Sequence, residues 1–70
     1  MGLCNRLKET RVARNLTQEA LAQAVGVTRQ SIIAIEKGKY VPSVRLALEL
    51  AQALETPFDE VFWLAEGGRA

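Results

Sequence analysis

Arg29, Gln30, Ile33, Ala34 and Lys37 are the side chains whose types and spacing point to chemistry. At about 100° per residue, a helix from Arg29 to Lys37 turns Gln30, Ile33, Ala34 and Lys37 to one side, with Arg29 beside them at its start. Ser31, Ile32 and Ile35 turn to the other. Arg and Gln carry planar, paired hydrogen-bonding groups, and the alanine and isoleucine between them offer methyl contacts. That set matches base-pair edges in a DNA major groove, where Arg or Gln reads guanine or adenine and apolar groups meet thymine methyls. As plain solvated surface the combination is odd, although one exposed isoleucine such as Ile33 is common on proteins.

No comparable constellation supports catalysis, and the chain is not expected to be an enzyme. It has no histidine, its single cysteine (Cys4) has no base beside it, and Asp59-Glu60 suit the positive start of a helix. One cysteine without histidine excludes an internal disulfide framework and argues against zinc. Neither a metal, a cofactor nor a small-molecule effector is implied. No run approaches the roughly 18 apolar residues of a membrane span. Met1-Gly2-Leu3-Cys4 only superficially suggests lipidation, because Arg6 stands where myristoylation wants Ser or Thr. With no basic-then-apolar leader at the start, the cytoplasm is the expected compartment.

Positioning the Arg29–Lys37 face falls to the stretch Gln18–Lys37, QEALAQAVGVTRQSIIAIEK. Ala22 is small enough for two crossing helices to touch there, and Gly26 marks a sharp turn. Leu21, Val25, Val27, Ile32 and Ile35 fall where a steeply crossed helix pair needs apolar side chains. This is the helix-turn-helix pattern, whose second helix enters the major groove. Thr17 and Thr28 precede the helical runs as capping hydroxyls, and Gly26 and Gly38 stand just past their ends. Charge agrees with this placement. Residues 1–45 hold eight Lys/Arg against three Glu, a balance of +5, whereas residues 46–70 balance to −4. Phosphate binding needs positive charge locally rather than overall, so the chain's net +1 is no obstacle.

The remaining chain supplies a small core around that unit. Seventy residues with 49% hydrophobic and 6% aromatic content suit one all-α domain, expected over residues 1–66 with a disordered tail at 67–70. The first helix is expected over 5–14, ended by Asn15 in a left-handed conformation, and Leu16 then plugs into the core. Pro42 keeps the helix before it from continuing, and Ser43 caps a helix over 44–54. The main inward face of that helix is expected to be Val44, Ala47, Leu48, Ala51 and Leu54. Leu46, Leu50 and Ala53 form a second stripe about 90° or more away. Thr56 caps a last helix with Pro57 in its first position, and Phe58, Val61 and Phe62 close the bundle.

With these features in place, the chain resembles the Cro/C1-type (XRE) helix-turn-helix transcriptional regulators over about Asn5 to Trp63. It looks most like their small stand-alone bacterial members. The signatures are LTQEALAQAVGVTRQSI, IEKGKYVPS and LALELAQALETPFDEVF. The resemblance implies a five-helix, lambda-repressor-like bundle and a regulator, expected to be a repressor, that binds a two-fold operator on double-stranded DNA as a homodimer. It implies base reading at Arg29, Gln30 and Ala34, with Ile33 beside them on the same face. Backbone contacts are implied at Gln18, Thr28, Lys37, Lys39 and Tyr40, and a charge pair at Arg11 and Glu36. Thr10, Asn15 and Val41 depart from the family pattern, and Val41 removes one expected phosphate hydrogen bond.

Dimerisation is expected through Leu46, Leu50 and Ala53 together with Phe62, Trp63 and Leu64, as one self-complementary patch. That pairing would set two recognition helices about 34 Å apart, one DNA turn. A short terminal strand pair, Gly2–Cys4 against Trp63–Glu66, is compatible with this arrangement. The alternative function is a protein-interaction module, such as an antitoxin, built on the same fold.

Overall fold

The computed structural model of the chain describes residues 2–65, so the expected domain limit at 66 and the tail at 67–70 lie outside the described residues. Strands β1 (Leu3–Asn5) and β2 (Phe62–Leu64) pair antiparallel, with Leu3 opposite Leu64, Cys4 opposite Trp63 and Asn5 opposite Phe62. Between them run α1 (Leu7–Ala13), α2 (Gln18–Val25), α3 (Arg29–Glu36), α4 (Val44–Ala53) and α5 (Phe58–Val61). The five-helix reading and the terminal strand pair both hold, with the paired segments shifted to Leu3–Asn5 and Phe62–Leu64 from the expected Gly2–Cys4 and Trp63–Glu66.

Hydroxyls and left-handed residues set most helix ends. Thr17 Oγ1 accepts from Ala20 N at 3.0 Å, Thr28 Oγ1 from Ser31 N at 3.2 Å, and Ser43 Oγ from Leu46 N at 3.1 Å. Each oxygen satisfies an amide that the first helical turn leaves without a partner. Gly26 (φ 77°) ends α2 in the left-handed region, and Gly38 (φ 74°) follows α3 with Lys39 N reaching back to Ala34 O at 2.9 Å. Asn15 takes the same conformation after α1 (φ 60°). Thr10, where an apolar residue is usual, donates its hydroxyl to the carbonyl of Arg6 at 2.7 Å, so its polar group is satisfied within the helix.

The first helix begins at Leu7 rather than Asn5, because Asn5 belongs to β1 and its Oδ1 instead accepts from Leu7 N at 3.0 Å. Thr56 does not cap α5: its hydroxyl donates to Leu54 O at 2.9 Å, and Pro57 occupies the cap position. The face of α4 is the largest correction. Leu46, Ala47, Leu50, Ala51 and Leu54 are buried, whereas Val44 and Leu48 are 74% and 51% exposed. On a wheel of about 100° per residue the apolar arc from Ala53 round to Leu48 covers about 220°, more than the roughly 100° a one-sided helix needs. Burial selected the middle of that arc, which includes the two leucines assigned to the second stripe.

The core is built from Leu7, Leu21, Ile32, Ile35, Leu50, Leu54 and Val61, all essentially fully buried. Leu3, Leu16, Val25, Val27 and Ala53 pack against its edge. Val61 and Phe62 close the bundle, but Phe58 stays 42% exposed, its ring 5.9 Å from that of Phe62. At the far end of α4, Glu55 takes a left-handed conformation (φ 53°), and Arg14 Nη2 donates to its carbonyl at 3.0 Å. That contact ties the end of α1 to the end of α4.

Candidate nucleic-acid interface

Burial of Ile32 and Ile35 fixes the rotation of α3. With those two inward, Arg29, Gln30 and Lys37 are exposed, and Ile33 and Ala34 are half-buried. Lys39 and Tyr40 are exposed in the loop that follows, and Thr28 is exposed at the helix start. The side chains singled out in the sequence are therefore distributed over one helix and its two flanking turns, apart from Gln18, which is half-buried at the start of α2. Thr28 already accepts from Ser31 N as a cap, but its hydroxyl hydrogen can still be offered outward.

A hydrogen-bonded chain runs beneath this surface. Arg11 Nε donates to Glu36 Oε2 at 2.7 Å, and Arg11 Nη1 donates to Leu16 O at 2.7 Å. Both partners of the ion pair are at least nine-tenths buried at their side chains. Glu36 Oε1 accepts from Gln18 Nε2 at 3.1 Å, and Gln18 Oε1 in turn accepts from Arg29 Nε at 3.4 Å. The chain thus links α1, α2 and both ends of α3. Its buried end is a charge-assisted pair whose loss leaves a carboxylate or guanidinium without its counter-charge. At its exposed end the terminal guanidinium nitrogens of Arg29 stay available for a base edge, and Gln18 retains one amide hydrogen for a phosphate oxygen.

Sequence spacing missed two of these connections. The Gln18–Arg29 and Gln18–Glu36 contacts join residues 11 and 18 apart, so no helical period announces them. Asn5, taken for the first residue of a helix, donates its Nδ2 to Ile35 O at 3.0 Å. A local signal did exist for part of this, since an Asn two residues before an apolar helical run is well suited to cap it.

The predicted pairing residues divide. Leu46, Leu50 and Phe62 are buried within the chain's own core, at 8%, 0% and 2% exposure, so they cannot present apolar surface to a second copy. Ala53 is half-buried, while Trp63 and Leu64 are exposed on β2. Arg6 places its guanidinium carbon 5.0 Å from the Trp63 ring centre, a cation–π contact at the sheet. Among the described residues no group of His, Cys, Asp and Glu could hold a metal, and no helix is long and apolar enough to cross a membrane.

Comparison with known proteins extends this geometry. The helix-turn-helix model HTH_3 matches residues 7–61. The HTH-type transcriptional regulator YgzD of Bacillus subtilis is 50% identical over 62 residues, covering 89% of this chain and 94% of that protein. The cryptic phage CTXphi transcriptional repressor RstR of Vibrio cholerae is 32% identical over 57 residues, covering 81% of this chain and 51% of that one. In three dimensions the restriction-modification controller protein C.AhdI from Aeromonas hydrophila superposes with a TM-score of 0.75. Its identity is 38%, over 79% of this chain and 83% of that one. The matched span takes in the crossed helix pair, its caps and the helices that brace it, and the chain belongs to the Cro/C1-type (HTH_3) helix-turn-helix family of DNA-binding transcriptional regulators, which are not enzymes.

Proposed function

We propose that this regulator is a repressor that inserts α3 into the major groove of a two-fold operator in the cytoplasm. Arg29 and Gln30 read base edges, and Ile33 and Ala34 supply the apolar contacts between them. Gln18, Thr28, Lys37, Lys39 and Tyr40 hold the phosphate backbone and set the register. The observation that carries this reading is the exposure of Arg29, Gln30, Lys37, Lys39 and Tyr40 along one helix and its following loop, above a core-anchored Ile32 and Ile35. Repression is the simplest outcome of occupying DNA, and the repressor RstR is among the relatives.

Two-fold binding requires two copies. With Leu46, Leu50 and Phe62 committed to the core, the pairing surface falls to Trp63, Leu64 and Ala53, joined by the exposed Phe58. Selection of bound fragments from random DNA, followed by titration at several salt concentrations, tests the reading. A two-fold consensus is expected, with log affinity falling by about 0.9 per log unit of salt for each phosphate neutralised. Binding that shows no sequence preference and no salt dependence overturns it. Equilibrium sedimentation of the wild type and a Trp63→Ala variant tests the pairing surface, which is wrong if both give the same association constant.

A further inference from the structure

We propose that Asn5 is a positioning residue for DNA reading, through which the terminal sheet sets the tilt of α3. The proposal rests on the reading of α3 as the recognition helix. Both ends of the Asn5 amide are engaged at 3.0 Å: Oδ1 accepts from Leu7 N at the start of α1, and Nδ2 donates to Ile35 O in the last turn of α3. Flipping the amide would set oxygen against the Ile35 carbonyl and N–H against N–H, so the two contacts fix a single orientation. The Ile35 carbonyl already accepts from Gly38 N at 3.0 Å. The bond from Asn5 is therefore not needed to satisfy that oxygen; what it adds is a link between segments 30 residues apart.

Asn5 is itself held in the sheet. It lies opposite Phe62, whose side chain is buried, and the neighbouring Arg6 N donates to Val61 O at 2.8 Å. One residue further along α3, Glu36 is gripped by Arg11. Two successive residues at the C-terminal end of α3 are thus moored to the N-terminal segment, whereas the polar tie at its N-terminal end is the longer Arg29–Gln18 contact at 3.4 Å. Gln30 lies five residues from Ile35, about 7.5 Å along the axis. A 10° tilt about the mooring therefore moves its Cα by about 1.3 Å, well beyond the roughly 0.5 Å tolerance of a base-reading geometry.

Asn5→Ser separates the two functions of the amide. Serine still accepts from Leu7 N as a cap but is too short to reach Ile35. Asn5→Asp likewise keeps the acceptor and loses the donor, and it serves if the serine variant does not fold. The readout is the ratio of affinities for the selected operator and a scrambled duplex, with amide exchange at Gly38 as a DNA-independent measure of the α3 end. Operator affinity is expected to fall about tenfold with scrambled-site affinity and salt slope unchanged in Asn5→Ser, and Gly38 exchange to quicken. In Asn5→Asp the added charge lowers both affinities, and the ratio still falls. An unchanged ratio overturns the proposal, as does an equal loss at both sites in Asn5→Ser. A wild type that fails to discriminate between the duplexes instead removes the reading of α3 itself.

Discussion

α3 and α4 lie side by side in sequence, each opened by a capping hydroxyl and each anchored by buried aliphatic residues, yet their outer faces differ. The outer face of α3 carries Arg29, Gln30 and Lys37, with Ile33 and Ala34 half-buried between them. On α4 the outer face carries Val44 and Leu48 beside Arg45 and Gln52. In α3 polar residues bound a narrow apolar stripe, so only one rotation buries Ile32 and Ile35 while leaving Arg29, Gln30 and Lys37 in water, and the one charge it buries, Glu36, is paired with Arg11. In α4 apolar residues occupy well over half the circumference, and several rotations bury a comparable set. The contrast shows that a helix is oriented by what it must keep in water as much as by what it must hide.

Substitutions that exploit this contrast have effects of graded size. Leu50→Ala, on the face of α4 that the packing selected, is expected to cost about 3 kcal/mol through lost transfer energy and a residual cavity. Chemical denaturation with an unchanged m-value would register it, and for a chain this small the midpoint temperature would drop by about 15 °C. A cost below about 1 kcal/mol would mean that α4 is rotated otherwise.

Arg11→Met tests the buried polar chain under α3. It strips Glu36 of its counter-charge and is expected to cost about 3 kcal/mol, slightly less if Gln18 and water compensate. The double substitution Arg11→Met with Glu36→Leu should recover much of this loss, because an apolar pair of similar volume has no desolvation penalty to offset. Failure to recover would show that the pair holds geometry that packing cannot replace.

Gln30→Ala addresses the outer face of α3. Stability should stay within about 0.5 kcal/mol of the wild type, while affinity for the preferred duplex falls by about 1–3 kcal/mol and preference relaxes at one base pair. Lys39→Ala should weaken preferred and scrambled duplexes alike and flatten the salt slope by about one unit. Fluorescence anisotropy at several salt concentrations separates the two behaviours, and a reversal of the patterns would reverse the assignment of reading and backbone roles. Leu48→Ser is the smallest effect, within about 0.5 kcal/mol in stability and with no change in DNA affinity. Together with Leu50→Ala it measures directly which α4 leucine the core uses.

What the sequence determined by itself was everything enforced within a few residues along the chain. Thr17, Thr28 and Ser43 each cap an amide three positions on, and Gly26, Gly38 and Asn15 take left-handed conformations that ordinary side chains resist. The spans of α2, α3 and α4, the pairing of α2 with α3 and the outward set on α3 follow from those local rules combined with a clear 3.6-residue period. The family pattern added the partnership of Arg11 with Glu36, which no period across 25 residues could have shown.

Tertiary structure alone decided the rest. It selected Leu46 and Leu50 over Val44 and Leu48, drew Asn5 out of α1 into a sheet, and joined Gln18 to both Glu36 and Arg29. It also let Glu55 adopt a left-handed turn, with Arg14 bonded to its carbonyl from 41 residues away. In each case the local chain allowed more than one answer of similar energy. Contacts between distant segments supplied the few kcal/mol that separated them, on the order of one buried leucine or a paired charge.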